Sequence, residues 1–464
     1  MDASRLTLIR NGRTDRRGFI AASAVTCLAA SGQTQADSPA ADAPSSTSPQ
    51  VLLPRDRVPV SFIIDDSTCL VNMGYFCTPQ FATAWPGRAE YRKPWRTWPA
   101  EIPDDFVREF GHWCAEHGVK GKYSVVPYPA CVGWMDRMLP GWSRRQLRDS
   151  LDLVRTLMLP NWDIHPEMIS HTRVLDLRTG RPIEAINDGT MENSFPQNDV
   201  SVDHLTEYLA YALRILKNCD LPCQGITTPG GFGNHVKRKL PIATHQAVRD
   251  VFGASLPHYF KYVRQGEQGT EPELEFVGAD GDMSNVTVNV PAGTGDWYGG
   301  WQGDGQSEPD RYVTRDGQSG RMAELIQRRQ PAVMLCHWPG MYCNGTKSGF
   351  QAFQQNVLSL AEHYGDQIHW MKVSEIASYW AAKQCTTIRP VPGGYQFDAV
   401  HATSDFTVQL DGVAADRFWF GDRKQPLNRV NDRRALKPGS CLLERDKLIV
   451  CVDLPVGSSP LTWA

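Results

Sequence analysis

The sequence predicts an α/β protein: strands alternating with helices in a parallel β/α arrangement over residues 55–384, then a small β-rich domain over 385–464. Three observations carry this. Apolar runs of strand length alternate repeatedly with amphipathic helical patterns. Polar residues (Asp65, Asp66, His171, His337 and Asp296) gather where those runs end, and parallel β/α folds place their sites at the carboxyl ends of the strands. After Gln384 the helical period stops, and short strand patterns separated by turns take over.

The elements follow in order. "VPVSFIID" (58–65) reads as a buried strand that ends in two aspartates. "PDDFVREFGHWCAEHG" (103–118) reads as a helix, with Pro103 in its first turn, Asp104 and Asp105 at its positive end and Gly118 as its stop. "KYSVVPY" (122–128) is the next strand. Ser143 caps a helix whose apolar stripe is Leu147, Leu151, Val154 and Met158, and Ser201 starts one with Leu205, Leu209, Ala212 and Leu216. "CQGITTPGGFG" (223–233) is a strand entering a Gly-rich turn, "NVTVNVP" (285–291) a strand, and "PAVMLCH" (331–337) a strand ending in a histidine. A helix (350–365), the strand "IHWMK" and the helix "VSEIASYWAAKQ" complete the β/α part. The tail holds "GGYQFDA", "DFTVQL", "FWFGD" and "KLIVCVDLP" as short strands.

The amino terminus reads as a targeting segment. Arg16 and Arg17, then Phe19 and a short apolar run ending in small residues, resemble a twin-arginine export signal over 1–36 with cleavage after Ala36. The expected location is therefore periplasmic or secreted. The apolar run is too short to span a bilayer, and no other segment reads as a membrane span. Residues 37–54 form a Pro/Ser/Ala-rich linker into the β/α part. A net charge of -3 gives no basic footprint for nucleic acid. Fourteen Trp, fourteen Tyr and seventeen Phe suit either a large core or a sugar-binding surface. Of the twelve cysteines, Cys219/Cys223, Cys69/Cys77 and Cys336/Cys343 are close enough in sequence to pair. No CxxC pair exists for a zinc ribbon.

"WDIHPEMISHT" (162–172) raises the central chemical question, with two histidines and a glutamate in eleven residues. If the stretch were one extended strand, His165 and His171 would stand roughly 20 Å apart, so both reach one ion only if Pro166 marks a bend. "TGDWYGGWQGDG" (294–305) reads either as a mobile lid offering Trp297 and Trp301 to sugar rings or as a plain surface loop. It lacks the Lys and Ser/Thr of a phosphate loop.

Taken in order, these stretches resemble the polysaccharide deacetylases, carbohydrate esterases built on a distorted (β/α) barrel. "FIIDD", "EMISHT" with Glu167, His171 and Thr172, "GITTPGGFG", Asp296–Trp297, and Leu335 with His337 fall at the family's five motifs, over roughly 58–384. The resemblance implies a divalent metal (zinc, with cobalt, nickel or manganese as alternatives) held by Asp66 and His171. It implies Asp65 as the base that takes the water's proton and His337 as the acid that protonates the leaving group. It also implies a pocket wall at Pro229 and an acetylated carbohydrate as substrate. Two positions depart from the pattern. Leu175 stands where a second histidine is expected, and the third motif has no arginine near Thr227. His165 is the candidate to replace the missing ligand, with a carboxylate such as Asp176 or an extra water as alternatives. Three functions therefore stay open: a metal-dependent deacetylase, a degenerate barrel serving as a carbohydrate-binding or scaffold protein, and a glycoside hydrolase on a related barrel.

Overall fold

A computed structural model describes residues 49–464 apart from residue 414. The expected export signal and most of the linker lie outside the described residues. Seven strands frame the β/α part: β1 (Val58–Asp65), β2 (Gly121–Ser124), β3 (Trp162–His165), β4 (Gly225–Thr227), β5 (His258–Phe260), β6 (Val286–Asn289) and β7 (Ala332–His337). Eight longer helices accompany them, besides a five-residue helix at Trp338–Tyr342: α1 (Met73–Ala84), α2 (Asp104–Glu116), α3 (Arg144–Leu153), α4 (Val202–Asn218), α5 (Leu240–Phe252), α6 (Arg321–Gln327), α7 (Ser348–Tyr364) and α8 (Val373–Cys385). All eight residues of β1 are buried, which is why its sequence is apolar on both faces rather than alternating. Caps start the helices where the hydroxyl and amide side chains stand. Ser143 and Gln146 form a capping box at α3, Ser201 accepts the His204 N–H at 3.1 Å, and Asn72 accepts the Gly74 N–H at 3.1 Å.

The strands make two open sheets. One has the order β7-β1-β2-β3, all parallel, and Ile368–Trp370 pairs with the first residues of β1. The other runs β4-β5-β6 in parallel, with Glu273–Val277 antiparallel at its edge. Single contacts join them. The Thr227 N–H donates to the Pro166 carbonyl at 3.0 Å, and the Gly293 N–H donates to the Val333 carbonyl at 2.8 Å. The strands thus follow one another in sequence order, but among the described residues no continuous ladder closes them into the expected barrel. Prolines explain the gaps: Pro166 directly after β3 and Pro291 just beyond β6 have no N–H to carry the pairing on.

The carboxyl-terminal segment between Thr387 and Trp463 supplies nine of the ten strands of two five-stranded sheets. Gln50–Val51, expected as linker, is an edge strand of one, paired antiparallel with Thr403–Asp411. These sheets share the core of the β/α part, and the described residues cluster as one unit. The Tyr379 hydroxyl of α8 donates to the Leu52 carbonyl at 2.8 Å and accepts from the Thr407 N–H at 3.3 Å. α1 and α5 carry no clear sequence signal: α1 contains Pro79, and α5 is buried on several sides. The eleven described cysteines are all free, so none of the expected pairs forms. Their thiols pack as small apolar groups or donate locally, as Cys343 Sγ does to the Gly340 carbonyl at 2.8 Å. Among the described residues no helix is long and apolar enough to cross a membrane.

Asp405 fastens three segments. Its carboxylate accepts from Arg55 Nε at 2.6 Å and stands 3.3 Å from His369 Nε2. Burial pushes the carboxyl up, but His369 and Arg55 outweigh it and hold it below its ordinary value. The resulting stability is present above the unfolded pKa and is lost as pH falls through the folded one. Asp405→Asn is expected to cost about 1–3 kcal/mol at neutral pH. The difference from wild type should shrink below pH about 4. Urea titrations at several pH values check both expectations.

Candidate functional site

The register between β7 and β1 sets Asp65 and His337 side by side at the strand ends. Asp65 is buried, and its Oδ1 pairs with the ammonium of Lys122 and accepts from Ser124 Oγ at 3.3 Å. Both partners lie on β2, two residues apart and therefore on one face. Lys122 also donates to Ser124 Oγ at 2.8 Å and lies 5.6 Å from the centre of the Phe260 ring. Burial pushes the Asp65 carboxyl up and the Glu167 charge adds to this. Lys122 and His337 pull it down without restoring the ordinary value.

His337 Nδ1 stands 2.8 Å from Asp296 Oδ2, which leaves Nε2 to face outward chemistry. Burial would push the imidazole down. The hydrogen bond and charge of Asp296, with Asp66 and Asp65 behind it, raise it to about 9. His337 is thus a charged acid at neutral pH. Its side chain is 23 % exposed against 8 % for His171, 7 % for Asp65 and 1 % for Asp66, so the cluster is most accessible on the His337 side.

The next residue turns into a second cluster. Asp66 has φ 57°, a left-handed conformation that aspartate tolerates better than most residues. Its N–H donates to Glu167 Oε2 at 2.7 Å. His171 Nε2 lies 2.8 Å from Asp66 Oδ1 and 3.4 Å from Glu167 Oε1. The Asp66 contact does not meet hydrogen-bond geometry, so both carboxylate oxygens of Asp66, and Nδ1 of His171, are buried without a hydrogen-bond partner. Burial would push His171 down, but the Asp66 and Glu167 charges hold it well above its ordinary value.

The turn that brings Glu167 and His171 to Asp66 is held from behind. Met168 and His171 have φ of 53° and 63°, each a strained position for a side-chain-bearing residue. The buried Glu192 carboxylate accepts the backbone N–H groups of Ile169 (3.3 Å), Ser170 (2.9 Å) and His171 (2.5 Å), and the Tyr208 hydroxyl donates to it as well. Four donors on one carboxylate fix the turn that carries Glu167 and His171. Leu175 is buried, and its N–H donates to the Tyr208 hydroxyl at 3.3 Å, behind the same turn.

Asp66, Glu167 and His171 each offer a ligand atom, all within 4.8 Å of one another. They fit a divalent transition metal on two grounds. Ligand atoms about 2.0–2.2 Å from one ion stand about 2.8–3.5 Å apart, which matches the spacing of His171 Nε2 from both carboxylates. The charges also leave a deficit: Asp65 has Lys122 and Asp296 has His337, but Asp66 and Glu167 have only His171. Carboxylate with imidazole suits zinc, cobalt, nickel or manganese alike.

Other expected site residues fall elsewhere. His165 does not join His171. It ends β3 in a separate buried cluster with Asp163 and His258, because Pro166 stops the strand between the two histidines. Glu167, not His165, completes the first set. Asp176 sits in a two-residue strand and accepts the Arg178 N–H at 2.9 Å, outside the cluster. The Gly-rich stretch 294–305 is a packed wall and not an open flap: a Cβ on Gly299 would meet the Gly340 carbonyl oxygen at 2.5 Å. Trp297 lies under the Arg311 guanidinium at 4.3 Å and against Tyr312. Trp301 packs on Phe81 and Tyr91, and Phe81 is 6.2 Å from the His171 ring. Pro229 is buried at the turn after β4, its carbonyl accepting the Phe232 N–H at 2.9 Å. Lys122 had a signal in sequence, a lysine inside an apolar strand; Glu192 and His258 had none.

No protein-family model matches the chain, and no curated protein matches it. Among solved structures it is similar to a candidate polysaccharide deacetylase from Mycobacterium smegmatis, at 14% identity over 75% of this chain and 99% of that one, with a TM-score of 0.40. It is also similar to a candidate glycoside hydrolase/deacetylase from Parabacteroides distasonis, at 12% identity over 76% and 81%, TM-score 0.37. An alpha-amylase from Anoxybacillus follows at 7% identity over 88% and 98%, TM-score 0.31. At these scores the likeness is distant and says nothing of the reaction.

Glu192→Gln puts an amide where four donors converge, so at least one N–H loses its acceptor. The variant is expected to lose about 2–4 kcal/mol of stability. Its 166–172 turn should become open to limited proteolysis while the distant carboxyl-terminal sheets stay resistant. Urea midpoints and peptide mapping read the two effects.

Proposed function

We propose that the protein is a metal-dependent hydrolase that removes acetyl groups from a carbohydrate, with Asp66, Glu167 and His171 holding the metal. The observation that carries this reading is the pair of buried carboxylates facing a single imidazole, one residue from Asp65 and beside His337. The metal, when bound, polarises the acetyl carbonyl and acidifies water at the site. Asp65 takes the proton of the attacking water on Oδ2, since Lys122 and Ser124 engage Oδ1. The water oxygen bonds to the carbonyl carbon. His337 Nε2 then gives its proton to the departing nitrogen or oxygen as the C–N or C–O bond breaks, leaving acetate and a free amine or hydroxyl. Asp296 positions the His337 ring and keeps it protonated. Trp301, and through the resemblance Trp297 and Pro229, belong to the wall that meets the sugar. Export through a twin-arginine signal, to the periplasm or beyond, is part of this proposal, and a reporter fused behind residues 1–36 tests it.

Zinc-loaded protein should release acetate from N-acetylglucosamine oligomers or from O-acetylated xylan. Asp65→Asn should lower the rate by about 100-fold or more while the protein keeps its metal. Release of no acetate from either class by fully loaded protein sinks the deacetylase reading, and full activity in Asp65→Asn removes Asp65 as the base.

The acid form of His337 is present below its pKa and lost as pH rises through about 9. A metal on Asp66 offsets part of the charge that raises His337, so the alkaline limb of kcat/KM is expected between the ordinary histidine value of about 6.5 and that value. Asp296→Asn removes the largest raising cause and should move the limb towards the ordinary histidine value of about 6.5. A limb that stays in place would show that His337 is not the group being titrated.

A further inference from the structure

His165 has a partner that the first site does not explain. Its Nε2 stands 3.0 Å from Nε2 of His258, and both rings are fully buried. Asp163, two residues before His165 on β3, points to the same face and completes a set whose ligand atoms all lie within 4.8 Å of one another. His258 begins β5, and Gly225 of β4 lies directly between. A Cβ on Gly225 would meet His165 Nε2 at 2.7 Å, so only glycine leaves room for the two rings to meet across the middle strand.

We propose that Asp163, His165 and His258 form a second, internal site for a transition-metal dication such as zinc, tying β3 to β5 across β4.

The geometry supports it. The 3.0 Å separation of the two imidazole nitrogens matches ligand atoms about 2.0–2.1 Å from one ion. Asp163 is held by the Ser374 N–H at 2.6 Å and the Ser374 hydroxyl at 2.7 Å, the outer-shell support that fixes a ligating carboxylate. A cavity lies beside the cluster. Ser374 and Gln224, whose carbonyl accepts the His258 N–H at 3.2 Å, line a cavity of about 480 Å³ with Glu375 and Asp453.

This inference is independent of the hydrolase reading, and its test keeps the two apart. His171→Gln takes the only imidazole from the first site and leaves the second untouched. The full chain carrying that substitution is stripped with a chelator and dialysed against zinc. It should hold about one zinc per chain, with two imidazoles in the zinc X-ray absorption spectrum, and its thermal midpoint should rise on zinc addition. Adding His258→Gln should abolish both the zinc and the midpoint rise. No zinc in folded His171→Gln protein, zinc without imidazole ligands, or zinc retained in the double variant would each overturn the proposal. Whether wild type holds one equivalent more than His171→Gln reports on the first site separately.

Discussion

Two carboxylates, Asp66 and Glu167, lie buried around one imidazole, and much of the local structure follows from that arrangement. An ionised carboxylate in the interior without hydrogen-bond donors is strongly disfavoured unless positive charge stands beside it. Asp66 has no hydrogen bond to either oxygen, and Glu167 spends one oxygen on the Asp66 N–H. The chain reaches this arrangement only through left-handed backbone at Asp66, Met168 and His171, at a cost on the order of 1–3 kcal/mol each. Such strain persists only where the surroundings over-determine it, and Glu192 with its four donors is that surrounding. A buried anion (Glu192) is thus used to fix the turn that carries two others into place. The cation proposed between Asp66, Glu167 and His171 would account for the whole set, whereas a plain structural ion pair would need neither the second carboxylate nor the strained turn.

The part of this site that sequence reveals is the part set by strands. Asp65, Asp66 and His337 end apolar runs, and the parallel register of β1 with β7 brings them together as the pattern implies. Glu167 is visible as a residue but not as a ligand, because its direction depends on positive φ at Met168 and His171, which no local period records. His165 shows the opposite failure. It lies six residues from His171 in sequence, yet its partner is His258, 93 residues away, brought close by strand order alone. Lys122 is legible as an oddity in an apolar strand. Glu192 is not, since an acid in "TMENSF" looks like any surface residue until four donors are seen to point at it.

The strand order explains why an α/β pattern was easy to read and barrel closure was not. Sequential parallel strands with helices between them follow from alternating periods. Closure depends on whether the strands at each join keep donating, and Pro166 and Pro291 withhold donors at both joins. The carboxyl-terminal boundary was blurred for a related reason. Gln50–Val51 completes a sheet whose other strands begin more than three hundred residues later, and two residues of strand leave no periodic signal.

Pro166 therefore has two consequences at once. Before it, the period of two along β3 sets Asp163 and His165 on one face, towards His258. After it, the chain turns and delivers Glu167 and His171 to Asp66. One stretch of eleven residues, 162–172, thus feeds two clusters of metal-ligand type, and the proline between them keeps the histidines from sharing an ion. The first cluster does not need His165, because the same turn already presents Glu167. In the proposed metal site, two carboxylates and one imidazole carry one more negative charge than the expected set of Asp66, His171 and His165. A cation held there would be a weaker electrophile, and the proposed reaction would lean more on the Asp65–Lys122 and His337–Asp296 pairs.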